Sequence, residues 1–398
     1  EFEVVPGVSS ATAVASYAGI PLTYRGVSGN VTVVTGHEDP KKSGTDVRWE
    51  ALSQVNGTLV ILMGVGNRTE IAQRLMAGGL SPNTPVAAVR WVSLPHQETA
   101  RGTLGDLGRM EIQAPAAIIV GEVASFDLSW FESRPLFGQS ITVTRSRTQN
   151  SDLARSLREQ GAEVIEVPTI CIQDPEDWSP VDQAISQIEE FDWIVFASPN
   201  AVERLFGRIL ALGKDLRILK GTKVATVGPA TTEKLATYSL RADLTPSNHV
   251  AEGLLEALVK QVDISVRRFL VPRSEIGRKV LAEGLRDRGG DVTEITTYRT
   301  EQPEGIPESV RDRLAGGEMD LVTFTSSSTV KNFAELVGPE ILDGVTSRLP
   351  AACIGQVTSR TARDAGFRVV VESPPNQVSI PGMVEGILGY FRDSSEGS

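Results

Sequence analysis

The stretch Asp320-Leu-Val-Thr-Phe-Thr-Ser-Ser-Ser-Thr-Val330 has an upstream twin, Asp192-Trp-Ile-Val-Phe-Ala-Ser-Pro-Asn-Ala-Val202. Aligned on their aspartates, the two lie 128 residues apart, with Phe196 on Phe324 and Ser198 on Ser326. Each is an apolar run that enters a turn of small polar residues. A helical pattern follows, on Val202, Leu205 and Phe206 in one copy and Val330, Phe333 and Leu336 in the other. The order reads as strand, polar turn, helix N-terminus. A helix start with free N–H groups and hydroxyls suits an anionic ligand. An ordinary serine N-cap explains one copy alone; two copies at a fixed offset indicate a repeated unit.

The repeat extends outward from these stretches. Ile141–Arg145, a helix over 151–160 and an apolar run over 161–167 form one βαβ start. Phe269–Arg273, a helix over 279–288 and a run over 289–295 form the second, with Arg145 on Arg273 and Gly161 on Gly289, again at 128. Val224–Thr231 then pairs with Ala351–Thr358 at 127, and Ala251–Leu258 pairs loosely with Pro381–Leu388. Alternating strands and helices predict α/β units with parallel, helix-covered sheets. Ligands of such sheets sit beyond the carboxyl ends of the strands. Four turns occupy that position, over 198–200, 226–231, 325–328 and 355–358. They nominate Ser198, Asn200, Thr226, Gly228, Thr231, Thr325, Ser326, Ser327, Gly355 and Thr358 as binding residues, with Arg145 and Arg273 as cations beside them.

Residues 1–133 read as a separate block. A helix over Ser9–Ala18, strands over 31–35, 58–63, 86–92 and 116–120, and a helix over 67–76 give it mixed order without a complete nucleotide-binding unit. Pro135 and Gly138 punctuate a break, and a second block is expected over 134–398. The chain opens on Glu1-Phe-Glu-Val-Val-Pro-Gly rather than on Met and reads as a fragment lacking its N-terminal part.

Composition bounds the function. With 398 residues, 40% apolar and 22% charged, the chain fits a soluble protein of two or three domains. A net charge of −11 speaks against a nucleic-acid partner, and no apolar run reaches the ~18 residues of a membrane span. Cys171 and Cys353 are expected as buried free thiols, and His37, His96 and His249 show no metal spacing. A cytoplasmic setting is expected. No nucleophile motif, phosphate loop or metal cluster is present. His249 reads as a solvated loop residue. Tyr298, at a strand end, can donate or relay a proton. The substrate implied is a polyanion held by many neutral donors, with chemistry that needs little push.

Residues 137–392 resemble uroporphyrinogen-III synthase. The resemblance rests on Phe324-Thr-Ser-Ser-Ser-Thr-Val330, Val227-Gly-Pro-Ala-Thr231, Ala251-Glu-Gly-Leu-Leu255, Val271-Pro-Arg-Ser274 and Tyr298-Arg-Thr300. It implies cyclisation of hydroxymethylbilane with inversion of ring D and loss of water, without a cofactor. An azafulvene forms as the hydroxyl leaves and a spiro intermediate rearranges. It also implies two α/β lobes joined by a β-ladder, with the substrate in a cleft. The chain would cross between lobes twice, so that 137–173 and 301–392 form one lobe and 174–300 the other. Tyr298 falls on the tyrosine that assists departure of the hydroxyl.

Residues 1–125 resemble the C-terminal half of uroporphyrinogen-III C-methyltransferase. This likeness is carried by Val5-Pro-Gly-Val-Ser-Ser-Ala11, Tyr17-Ala-Gly-Ile-Pro-Leu-Thr23, Val34-Thr-Gly-His37, Leu62-Met-Gly64, Gly102-Thr-Leu104 and Val120-Gly-Glu-Val123. It implies S-adenosylmethionine as cofactor, with Ser9, Ser10 and Met63 on contacting positions, and homodimers. Tyr24 and Val92-Ser93 depart from its pattern. The family's glycine-rich loop lies upstream of residue 1, so methyl transfer by this chain is not expected. The alternative to a fused tetrapyrrole enzyme is a two-lobed α/β small-molecule-binding protein without catalysis; a catalytically idle relative is a third reading.

Overall fold

The computed structural model describes residues 2–37, 46–144, 152–277, 279–374 and 376–396. The chain divides into two compact units. One comprises Glu1–Val167 with Gly305–Ser398, the other Pro168–Glu304.

The first unit contains two sheets. Strands β1 (Val31–Thr35), β2 (Thr58–Leu62), β3 (Pro85–Arg90), β4 (Glu98–Thr103) and β5 (Ala116–Val120) stand in the order β1-β2-β5-β3-β4. Only β1 and β2 run parallel. Successive strand residues point to opposite faces, so the apolar run of β2 feeds two cores. Val60 packs with Ala11 and Val14 of the helix Ser10–Ala18, whereas Leu59 and Ile61 pack with Ile71 and Leu75 of the helix Arg68–Ala77. β4 escaped the sequence reading because its residues are polar and it lies at the sheet edge.

The second sheet begins with β6 (Ser140–Val143) and β7 (Glu163–Glu166). The chain then builds the other unit from β8 (Cys171–Gln173), β9 (Trp193–Phe196), β10 (Lys223–Thr226), β11 (Arg268–Ser274) and β12 (Asp291–Glu301). It returns to complete the earlier sheet with β13 (Leu321–Phe324), β14 (Ala351–Cys353) and β15 (Val369–Glu372). The two orders are β15-β14-β13-β6-β7 and β10-β9-β11-β12-β8. All neighbours are parallel except β8, which runs antiparallel to the end of β12.

The sequence repeat survives as strand register. Phe269 pairs with Trp193, and Ile141 with Leu321, its equivalents at 128. Val224 pairs with Ile194 as Ala351 pairs with Val322. The aspartates that open the two stretches do the same work in each copy. Asp192 accepts from the Arg268 N–H at 2.9 Å and Asp320 from the Ser140 N–H at 2.7 Å, so each caps the start of the adjacent strand. Yet consecutive copies do not make consecutive units. β9 and β10 of the first copy pair with β11 and β12 of the second, while β6 and β7 join β13 and β14.

The compact units divide at 167/168 and 304/305, a few residues from the lobe bounds expected at 173/174 and 300/301, with β8 placed beside β12 by their pairing. The junction expected at 133/134 lies inside the first compact unit, where Leu136 is fully buried and the Gly138 N–H donates to the Pro95 carbonyl at 3.0 Å. The β2 run stops before Met63, which takes the left-handed conformation at φ 55. The loose pairing of Ala251 with Pro381 shifts by one. A Cβ on Gly253 would stand 2.3 Å from the Asn248 carbonyl oxygen, and one on Gly382 would stand 2.4 Å from that of Gln377, so these two glycines are the equivalent pair. Arg145 lies outside the described residues.

A bidentate pair holds the helix Glu308–Gly316 to β7. Arg313 donates to the two carboxylate oxygens of Glu163 at 2.8 and 2.6 Å. These hydrogen bonds keep the Glu163 carboxyl down at about 2. A carboxylate depressed in the folded state stabilises above its unfolded pKa and loses that contribution as pH falls toward the folded value. Acid titration of stability should therefore show a component of roughly 1–2 kcal/mol, after allowance for solvent screening, lost between about pH 4.5 and 2. Denaturant melts of Glu163→Gln should lack that component; an identical pH profile would refute it.

Candidate functional site

The site is built by the carboxyl ends of the β9-β10-β11-β12 strands, all within the unit Pro168–Glu304. β9 ends at Phe196, and Ser198 caps the helix Pro199–Ala211, its Oγ accepting from the Ala201 N–H at 3.1 Å. The same Oγ lies 3.0 Å from Tyr298 Oη. Tyr298 is only 7% exposed. It reaches this place through a register shift between Arg273 and Ser274, where β11 and β12 slip and Ser274 comes to face Tyr298. In a regular strand, residues three apart point to opposite faces. The slip changes that phase, so Ile295 and Tyr298 both join the core beneath the helix Pro199–Ala211.

A pocket of about 320 Å³ opens over the pair, lined by Ser198, His249, Arg273, Ser274 and Tyr298 among others. Each hydroxyl of the Ser198–Tyr298 pair carries one proton. Their mutual bond uses one, and the helix cap occupies a lone pair of Ser198. Whichever group donates, one O–H remains for a ligand. Charge accompanies it. Arg273 donates to Glu294 at 3.2 Å and Arg286 donates to the same carboxylate at 2.6 Å, which leaves one surplus positive charge beside the pocket. Among the described residues, Arg273 Nε has no hydrogen-bond partner. The arrangement fits a ligand that carries carboxylates and loses a hydroxyl.

The other nominated residues divide. Thr226 is fully buried, its hydroxyl held by Thr232 at 2.7 Å and Thr245 at 2.8 Å, so it serves the core rather than a ligand. Thr231 and Thr358 are buried inside helices. Asn200 is half-buried on the first turn of its helix and lies outside the pocket lining. Gly228 caps the helix Pro229–Ala236 and packs against the His249 ring. In the other unit, Thr325, Ser326, Ser327 and Gly355 gather at the ends of β13 and β14. There Ser326 forms a capping box with Thr329, the plainest use of a serine at a helix start. Thr361 donates to Ser327 Oγ at 3.0 Å, and Gly355 leads into the helix Gln356–Asp364. His249 is exposed, in keeping with its reading as a solvated loop residue. Only the fold of the β10 end brings it onto Gly228, 21 residues earlier, and no spacing announces that contact.

The mixed sheet of the first unit holds a second pocket, about 750 Å³ and largely apolar, lined by Ser10, His37, Met63, Trp91 and Val92 among others. Met63 is 67% exposed there. Ser9 does not line it: its Oγ accepts from the Ala11 N–H at 3.2 Å as the cap of the helix Ser10–Ala18. Among the described residues, no group of acidic, histidine and cysteine side chains has metal-binding geometry, and no helix is long and apolar enough to cross a membrane.

Two α/β sheets of equivalent register, one with a hydroxyl- and arginine-bearing pocket at its strand ends, define a duplicated α/β fold. Residues 151–385 match the family described as uroporphyrinogen-III synthase HemD, and residues 1–108 match the tetrapyrrole (corrin/porphyrin) methylases. The porphyrin biosynthesis protein HemD of Ruminiclostridium josui is 32% identical over 97% of this chain and 76% of its own length. The uroporphyrinogen-III synthase of Synechococcus elongatus is 35% identical over 66% of this chain and 99% of its own. An S-adenosyl-L-methionine-dependent uroporphyrinogen III methyltransferase of Methanosarcina barkeri is 45% identical over 31% of this chain and 50% of its own. The chain belongs to the uroporphyrinogen-III synthase family, with a methylase-like region at its N-terminal side.

Proposed function

We propose that this chain closes hydroxymethylbilane into uroporphyrinogen III. The observation that carries the site assignment is the buried Tyr298–Ser198 hydroxyl pair at 3.0 Å, opening into a pocket with a surplus arginine charge. In this reading the pair supplies the proton with which the substrate hydroxyl leaves as water. The pyrrole electrons drive that departure. Ring D then attacks, the spiro intermediate rearranges, and a proton lost from carbon restores the balance. The protein's largest contribution is to hold the reacting ends together, since proximity alone is worth several kcal/mol. Freshly generated hydroxymethylbilane tests the reading, with the oxidised products separated by isomer. Type III product above the spontaneous background is expected; type I alone at the spontaneous rate would refute it.

The methylase-like region is proposed to contact S-adenosylmethionine through the pocket that Ser10 and Met63 line. The name of the Methanosarcina relative and the apolar character of the pocket support this. Calorimetric titration with S-adenosylhomocysteine should give binding that Met63→Asp weakens at least tenfold. Equal affinity in the variant would remove Met63 from the site.

A further inference from the structure

We propose that His249 binds a carboxylate side chain of the tetrapyrrole substrate. The assignment rests on the synthase reading above and adds a residue to its site. His249 lines the same pocket as Tyr298, Ser198 and Arg273. His249 is exposed, and among the described residues its ring nitrogens have no hydrogen-bond partner, so its donor is available to a ligand at the pocket rim. Its position is held from behind. A Cβ on Gly228 would lie 3.1 Å from His249 Cβ and 3.4 Å from Cγ, so glycine lets the imidazole lie against the β10 turn.

The internal repeat supplies an independent comparison. In the other unit Gly355 takes the place of Gly228, and the side chain lying on it, 3.3 Å from a Cβ built there, is Val378. The loops correspond through Gly253 and Gly382, which contact the carbonyls of Asn248 and Gln377 in the same way. Packing on that glycine is thus satisfied by valine. Histidine appears in the compact unit that also carries Tyr298, although the two residues come from different copies of the repeat; the 128-residue counterpart of that tyrosine is Ile170. Both polar substitutions fall on one pocket. Besides His249, its titratable lining side chains are Arg273 and Tyr298, and Arg273 already spends donors on Glu294 and on backbone carbonyls. A second carboxylate ligand on the substrate would meet the imidazole.

Steady-state kinetics of the full chain on hydroxymethylbilane test this. His249→Val copies the twin and preserves packing. It is expected to raise KM about tenfold, the loss of one charge-assisted hydrogen bond, with kcat within about twofold and the product still type III. His249→Gln, which restores an N–H donor, should return KM to within about threefold of the parent. An unchanged KM in His249→Val overturns the proposal, as does a fall in kcat at constant KM, which would place His249 in the chemistry. A parent chain that forms only the type I isomer would instead refute the synthase reading itself.

Discussion

Tyr298→Phe lowers kcat for hydroxymethylbilane about a hundredfold and leaves the chain folded. The rate effect is set at the lower end of what a positioned general acid contributes, because the pyrrole's own electrons assist departure of the hydroxyl. The folding effect is small for a structural reason. The ring of Tyr298 sits among Ile194, Leu205 and Ile295 and phenylalanine retains it there. Only the bond to Ser198 is lost, about 1 kcal/mol. Ser198 still caps its helix through the Ala201 N–H. The informative pair of measurements is kcat against thermal midpoint. A turnover within about twofold of the parent would return Tyr298 to a packing role. A collapse of both would show that the hydroxyl pair supports the slip between β11 and β12 rather than the reaction.

The framework of the candidate site was legible in the sequence, and the reasons are local. Asp192 and Asp320 recur because each caps a neighbouring strand, so the same residue is demanded twice at one offset. Ser198 and Ser326 recur because both start helices at strand ends. These demands are met within a few residues and leave a pattern. What failed to show was non-local. The exchange of halves between the repeats leaves no mark in the 128-residue period, because β9 pairs with β11 in the same register whichever copy supplies it. Only the resemblance to the synthase family implied it. Thr226 and Thr231 look like ligand donors in the sequence, yet their turn folds inward and Thr226 is consumed by two other threonines. The packing of His249 on Gly228 was not legible either, because the loop before the helix Ala251–Gln261 has no period to read and the contact depends on the missing side chain at Gly228.

The repeat also sets where stability is lost. Phe324→Ala is expected to cost about 3–5 kcal/mol, the range for deleting a buried phenylalanine. Phe324 is fully buried and meets Phe333 and Phe367 edge-on at 5.7 and 5.2 Å, so its removal forfeits two aromatic contacts as well as area. Its equivalent, Phe196, is also fully buried and meets Phe206 edge-on at 5.5 Å, and Phe196→Ala should cost a similar amount. The two losses should appear in different places, because the phenylalanines belong to different compact units despite their common position in the repeat. Amide hydrogen exchange resolves them. Phe324→Ala should deprotect β6, β13 and β14, whereas Phe196→Ala should deprotect β9, β10 and β11. Phe196→Ala should also depress turnover, since Phe196 and Tyr298 share one core and Ser198 follows two residues later. Loss of protection spread evenly over both units in either variant would mean that the chain unfolds as one cooperative body, and that the exchange of halves between the repeats has fused what the sequence duplicated.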